Sequence, residues 1–121
     1  MQIGDKRSLT RSFTAADLAA FHQQAGLSLS GDTDSVPEPL IGALFSYLLG
    51  VELPGFGTNY LKQEMQFLRP APLGLPLSAS VEITRLRPDK HLVDLRTLCA
   101  GPDGTIYCEG RALVRAKDVG K

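Results

Sequence analysis

The sequence predicts an α+β domain in which a long apolar helix is wrapped by a curved antiparallel sheet. Three observations predict it. The first half carries two helical patterns, one of them apolar on nearly every side. The second half alternates apolar and polar residues over four segments separated by Gly/Pro/Asp turns. Its length of 121 residues suits one domain, residues 1–121, and leaves no room for a second. Helices ahead of a run of antiparallel strands make this class, because packing helix on sheet is what buries the apolar helix.

Each element has its own signal. Residues 7–13 alternate around Leu9 and Phe13 and read as a short strand. Thr14 then reads as a helix N-cap, its hydroxyl placed to accept from the first-turn N–H groups. Asp17 is acidic where the helix dipole favours it, and Phe13 and Leu18 occupy the two positions of a hydrophobic staple. A helix is expected from Ala15 to about Gln24, with Leu18 and Phe21 on one face and Gly26 to end it. Residues 27–38 are rich in loop formers. Pro39 to Gly50 reads as the apolar helix, started by proline and stopped by glycine.

The strands follow. Asn59 to Leu68 places Leu61, Met65 and Phe67 on one face, with Gln63 at the same inward register. Leu77 to Arg87 carries Leu77, Ala79, Val81 and Ile83 inward, and His91 to Ala100 carries Val93, Leu95 and Cys99. Thr105 to Lys117 sets Ile106, Cys108, Gly110, Ala112 and Val114 against an outward Tyr107, Glu109, Arg111 and Arg115. Four or five strands leave sheet edges open, and two sheets paired edge to edge in a dimer would cover them.

Composition excludes several functions. Thirteen Lys/Arg balance thirteen Asp/Glu, so the basic excess of a non-specific nucleic-acid binder is missing. Hydrophobic residues are 43%, too many for a disordered chain. The uncharged run Pro39 to Val51 is shorter than the ~20 residues a membrane helix needs. No apolar stretch follows the charges of residues 1–7, so no signal peptide is expected. Cys99 and Cys108 form neither a disulfide framework nor a metal cluster, and both read as core thiols in a reducing cytoplasm. With no HExxH, CxxC or phosphate loop, no metal and no cofactor are expected.

At this point a resemblance enters. Phe13-Thr14-x-x-Asp17-x-x-x-Phe21 is followed by Leu44-Phe45-Ser46-x-Leu48-Leu49-Gly50 and Leu53-Pro54-Gly55. Then come Tyr60-Leu61-x-Gln63-x-Met65-x-Phe67-x-x-Pro70, Gly74-x-Pro76-Leu77 and Val81-Glu82-Ile83. In this order and spacing the pieces resemble the MaoC-like hotdog family, the (R)-specific enoyl-CoA hydratases and acyl-thioester dehydratases. The resemblance covers nearly the whole chain. It implies a single hotdog domain, a homodimer, a pantetheine tunnel at the subunit interface, and substrates carried on coenzyme A or acyl carrier protein.

The chain departs from the family where the chemistry lies. The family's motif is Asp-x-Asn-Pro-x-His, with a His-Gly pair farther on at the start of the hotdog helix. If Gly26 aligns with the glycine before the motif, Leu27, Leu29 and Ser30 replace Asp, Asn and Pro, and Asp32 stands at His. If Ser30-Gly31-Asp32 is the match, Asp32 survives, Asp34 replaces Asn and Pro37 replaces His. Either way the Asp/His dyad is incomplete. Part of the following family segment is absent, and Pro37-Glu38 lie where His-Gly is expected.

Candidate catalytic residues are therefore carboxylates. Glu38 is either a helix-start carboxylate facing the dipole or a base beside the thioester carbonyl. Asp32 and Asp34 are either loop caps or the remnant of the catalytic pair. Leu40 and Ile41, placed to offer backbone N–H groups to a thioester oxygen, and Gly42 and Gln63 are the expected substrate contacts. Gln63 is an amide at a core register and needs partners there, a ligand or the backbone. Arg69, Arg85, Arg87, Lys90 and Arg96 either meet coenzyme A phosphates or are simply solvated. His22 and His91 read as ordinary surface histidines.

Two functions follow. One is an acyl-thioester enzyme with a rearranged site, performing hydration, dehydration or thioester hydrolysis through Glu38 with Asp32 or Asp34. The other is a non-catalytic acyl-binding hotdog, or the partner subunit of a heteromeric dehydratase.

Overall fold

A computed structural model describes residues 1–24, 35–55 and 57–116, the side chains of residues 22 and 24 apart. The elements are β1 (Lys6–Arg11), α1 (Ala15–Gln24), α2 (Glu38–Tyr47), β2 (Asn59–Phe67), β3 (Leu77–Arg87), β4 (Leu92–Ala100) and β5 (Ile106–Arg115). They form a five-stranded antiparallel sheet in the order β1-β3-β4-β5-β2. Helix α2 lies across the sheet's inner face. No helix among the described residues is long and apolar enough to cross a membrane.

The start of α1 forms as its sequence dictates. The Asp17 N–H donates to the Thr14 hydroxyl at 3.2 Å, and the Thr14 N–H donates back to the Asp17 carboxylate at 2.8 Å. The Thr14 N–H, and after it the Thr14 hydroxyl donating at 3.1 Å, hold the Asp17 carboxyl below its ordinary value. Phe13 and Leu18 are both buried, closing the staple. Strand β1 is shorter than the alternation suggests. It ends at Arg11, and Phe13 turns its carbonyl onto the Gly74 N–H at 2.7 Å. The expected stop at Gly26 lies outside the described residues.

The apolar helix differs at its end. Its α-helical part stops at Tyr47, and a wider five-residue turn carries it on through Gly50 to Glu52. The Leu53 N–H closes that turn on the Leu48 carbonyl at 2.8 Å. The glycine that reverses the chain is Gly55, at φ 99°. Ile41, Leu44, Phe45, Leu48 and Leu49 are buried against Leu77, Ala79, Val81 and Ile83 of β3. Val93, Leu95 and Cys99 of β4 and Cys108, Ala112 and Val114 of β5 complete the core. Burying such side chains contributes about 1.5–3 kcal/mol each.

Two strand faces differ from the alternation. A bulge between Tyr60 and Lys62 takes Leu61 out of register. Tyr60 pairs with the inward Val114 instead, and Leu61 is 50% exposed. Tyr107, expected on the outward face, is buried. It lies under the loops flanking β3 and β5, close against Gly101, so the outer face is covered there. Cys99 and Cys108 face each other across β4 and β5 as free, buried thiols. Burial pushes each up to about 11.

Candidate functional site

The start of α2 is pinned from below. The Val36 N–H donates to the Ala71 carbonyl at 2.8 Å, and Ser35 bridges to Pro72. A cleft of about 360 Å³ opens beside this tie, where Glu38 and Ile41 face Phe67, Leu68 and Arg69. Glu38 is the first residue of α2 and is exposed. Its charge, after burial and Cys99, helps to push the Cys108 thiol upward.

The backbone at this helix start has few donors to offer. A helix begins with four N–H groups lacking an intrahelical partner. Here Pro37 stands at the N-cap and Pro39 two residues on, and neither has an N–H. The Leu40 N–H turns back onto the Pro37 carbonyl at 3.0 Å. Ile41 already lies within the regular ladder. The oxyanion donors expected at Leu40 and Ile41 are therefore spent inside the helix.

Helix α2 separates the expected substrate contacts. Leu40 faces α1 and β1. Ile41 reaches the core and the Glu38 cleft. Gly42 faces β2, where a β-carbon would meet the Met65 side chain at 3.6 Å. One turn on, Ser46 is hydrogen-bonded to Tyr60, whose phenol burial holds above its ordinary value against the opposing effect of that bond. Gln63 pairs with Ala112 at the expected inward register. Its side-chain nitrogen is buried without a partner among the described residues. Asp32 and Asp34 lie outside the described residues.

Of the chain's two histidines, His91 does not join this site by register. His91 is exposed at φ 56° in the turn before β4, at the opposite end of that strand from Cys99 and the cleft. His22 lies on α1. Thr97 escaped the sequence reading. It is fully buried on β4 between Val81 and Gly110, and its hydroxyl has no partner among the described residues. Its signal was a lone hydroxyl at an inward position of an otherwise apolar alternation.

A helix seated in one curved antiparallel sheet, in this strand order, defines a hotdog protein. No family model matches the chain. It is 34% identical over 132 residues to an (R)-specific enoyl-CoA hydratase of Aeromonas caviae, covering 95% of both chains. It is 31% identical over 126 residues to the same kind of enzyme from Rhodospirillum rubrum, covering 92% of this chain and 85% of the relative. The solved (R)-hydratase of A. caviae involved in PHA biosynthesis superposes with a TM-score of 0.85 at 33% identity, over 95% of this chain and 96% of that one. The fold recurs at 18% identity and a TM-score of 0.68 in the C-terminally truncated HadBC complex of Mycobacterium tuberculosis, a 3R-hydroxyacyl-ACP dehydratase, over 93% of this chain and 96% of that one. The chain belongs to the MaoC-like hotdog family of (R)-specific enoyl-CoA hydratases.

Proposed function

We propose that this protein binds acyl thioesters of coenzyme A or acyl carrier protein and is not by itself a hydratase. The observation that carries this reading is the start of α2. Hydration of an enoyl thioester needs a base beside a water, an acid for the α-carbon, and donors for the developing oxyanion. The prolines and the Leu40 turn remove backbone donors, and among the residues described at this helix start the carboxylate is the exposed Glu38. What supports binding is kinship with hydratases across nearly the full chain. Ile41, Gly42 and Gln63 are the proposed contacts along α2 and β2, with Asp32 and Asp34 as the remnant acidic pair. The cytoplasm is the proposed compartment.

The acyl site is completed by a second hotdog chain across β2. That edge strand exposes Tyr60, Leu61 and Met65, and Leu68 follows it, whereas the opposite edge, β1, is charged at Lys6, Arg7 and Arg11. A homodimer or a pair with a dyad-bearing paralogue would cover it, and the likeness to a dehydratase complex supports the second. One further reading rests on the cleft itself. Glu38 and Arg69 share it, and that pair could serve thioester hydrolysis, with Glu38 as base and Arg69 toward the carbonyl oxygen.

The test offers purified protein crotonyl-CoA and saturated acyl-CoAs. Enoyl absorbance, free thiol and heat of binding are followed together. The expected result is binding without enoyl loss or thiol release. Enoyl loss at a hydratase's rate overturns the proposal. Thiol release abolished in Glu38→Gln moves the assignment to a thioesterase.

A further inference from the structure

We infer that the cleft between α1, β1 and α2 is a second binding site, for a small amphiphile with an apolar body and a carboxylate head. This cleft lies on the side of α2 opposite β2, apart from the site proposed above, and nothing in that proposal depends on it. Its volume is about 400 Å³, within the range of about 300–1,000 Å³ that small-molecule sites occupy. Leu9, Phe13, Phe21, Leu40, Leu44 and Tyr47 supply an apolar lining. Leu40, expected from sequence to meet a substrate, is here rather than beside Gly42 or Gln63.

The head group follows from Arg11. Its guanidinium lies 4.6 Å above the centre of the Phe13 ring, which orients it over the apolar floor. Its nearest carboxylate oxygen is Asp17 Oδ1 at 3.9 Å, beyond hydrogen-bond reach. The other Asp17 oxygen, Oδ2, is taken by the Thr14 N–H at 2.8 Å and the Thr14 hydroxyl at 3.1 Å. The Arg11 side chain is 53% exposed, pairs with Asp17 only at 3.9 Å, and donates no side-chain hydrogen bond among the described residues. A guanidinium in that condition takes a carboxylate in two parallel hydrogen bonds. Asp17 at the same rim repels an anion, so the head must meet the edge of the guanidinium that points away from Asp17, in its own plane, while one face of the guanidinium stays on Phe13. Tyr47 is 51% exposed, an apolar wall still open to solvent.

Decanoate is the probe, with decanol as its uncharged counterpart, titrated calorimetrically and by amide chemical shifts. Arg11→Gln removes the charge, and Ala43→Phe fills the cleft from an exposed position that leaves the core intact. Circular dichroism checks that both variants fold. The inference expects decanoate to bind tighter than decanol. It expects Arg11→Gln to weaken decanoate about tenfold, as loss of ~1.4 kcal/mol would. Ala43→Phe should abolish binding of both while leaving acyl-CoA binding unchanged. Absence of decanoate binding overturns it. So does binding that survives Ala43→Phe, or shifts that gather at Gly42, Gln63 and Met65. Equal affinity for decanol and decanoate overturns the carboxylate assignment. Acyl-CoA binding is scored separately, so failure of either proposal is seen on its own.

Discussion

Gly110 lies where β5 and β2 approach too closely for any other residue. It pairs with Met65 on one side and Thr97 on the other. A β-carbon built there would collide with the Glu64 carbonyl oxygen, and would lie 2.9 Å from the Glu64 carbonyl carbon and 3.0 Å from Met65 Cα. All three are backbone atoms of the neighbouring strand, so no rotamer change relieves the clash. Gly110→Ala must push β2 away between Glu64 and Met65. Overpacking costs about 1–3 kcal/mol, and weakening one or two ladder hydrogen bonds adds about 1 kcal/mol each. The expected loss is about 2–5 kcal/mol.

The control is Gly42→Ala. Its β-carbon meets only the flexible end of Met65, at 3.6 and 3.8 Å, which is ordinary contact. Gly42 is inside α2, where alanine is favoured by about 1 kcal/mol, so this variant should be neutral or stabilised. Urea denaturation measures both. Amide exchange should also show β2 losing protection in Gly110→Ala alone. A loss under 1 kcal/mol with β2 protection intact would refute the reasoning, because the backbone would then have relaxed at little cost.

Other outcomes follow from the same structure. Phe45 is fully buried in the core, so Phe45→Ala should cost about 3–5 kcal/mol in a urea titration. Thr14→Ala removes the cap of α1 and should cost about 1 kcal/mol, with amide exchange quickening in residues 15–18 first. Asp17 is held below its ordinary value by Thr14, so its contribution is present above about pH 4, the unfolded carboxylate's range, and is lost as pH falls through the lower folded value. Asp17→Asn should remove that part of the acid dependence. Cys99 and Cys108 are raised from 9.0 to about 11 by burial, so the folded state keeps protons that the unfolded state releases. Stability should be full below pH 9 and fall between 9 and about 11, and iodoacetamide should label neither thiol at pH 8 until urea unfolds the chain.

The elements legible in the sequence are those whose signal is local. The Thr14–Asp17 cap forms within four residues, and the inward rows of β3 and β4 follow from simple alternation. What was not legible depends on other segments. Leu61 leaves the inner face because of a bulge against β5, which no alternation in β2 announces. Tyr107 is covered by the turn before β5 together with Leu75 of the loop before β3. The candidate site divides in the same way. Glu38 at the helix start and Gln63 at the inward register were readable from punctuation and period. The division of Leu40 from Gly42 by the helix needed the packing angle, and Arg11 over Phe13 needed the turn between β1 and α1.

Helix α2 also separates the residues that hold the fold from those at its start. The residues that hold it in the sheet are Ile41, Leu44, Phe45, Leu48 and Leu49, and each lies within or after the second turn. The residues that would do chemistry at its start are 37–39, which contribute no buried side chain and, in this chain, one backbone N–H among three residues. Substitution there leaves the core contacts untouched, so stability does not oppose it. Two prolines even suit the structure, because fixed φ values favour the first helical turn. The same replacements remove donors that an oxyanion requires. Restoring His-Gly at positions 37 and 38 should therefore leave the urea midpoint within about 1 kcal/mol of the parent. It should return one backbone N–H, that of residue 37, to the helix start without returning hydration, since Pro39 and the Leu40 turn still withhold the oxyanion donors. Hydration gained by that double substitution and lost again in Asp32→Asn or Asp34→Asn would show that this aspartate serves as the base, and would reassign the chain as an enzyme disabled only at its helix start.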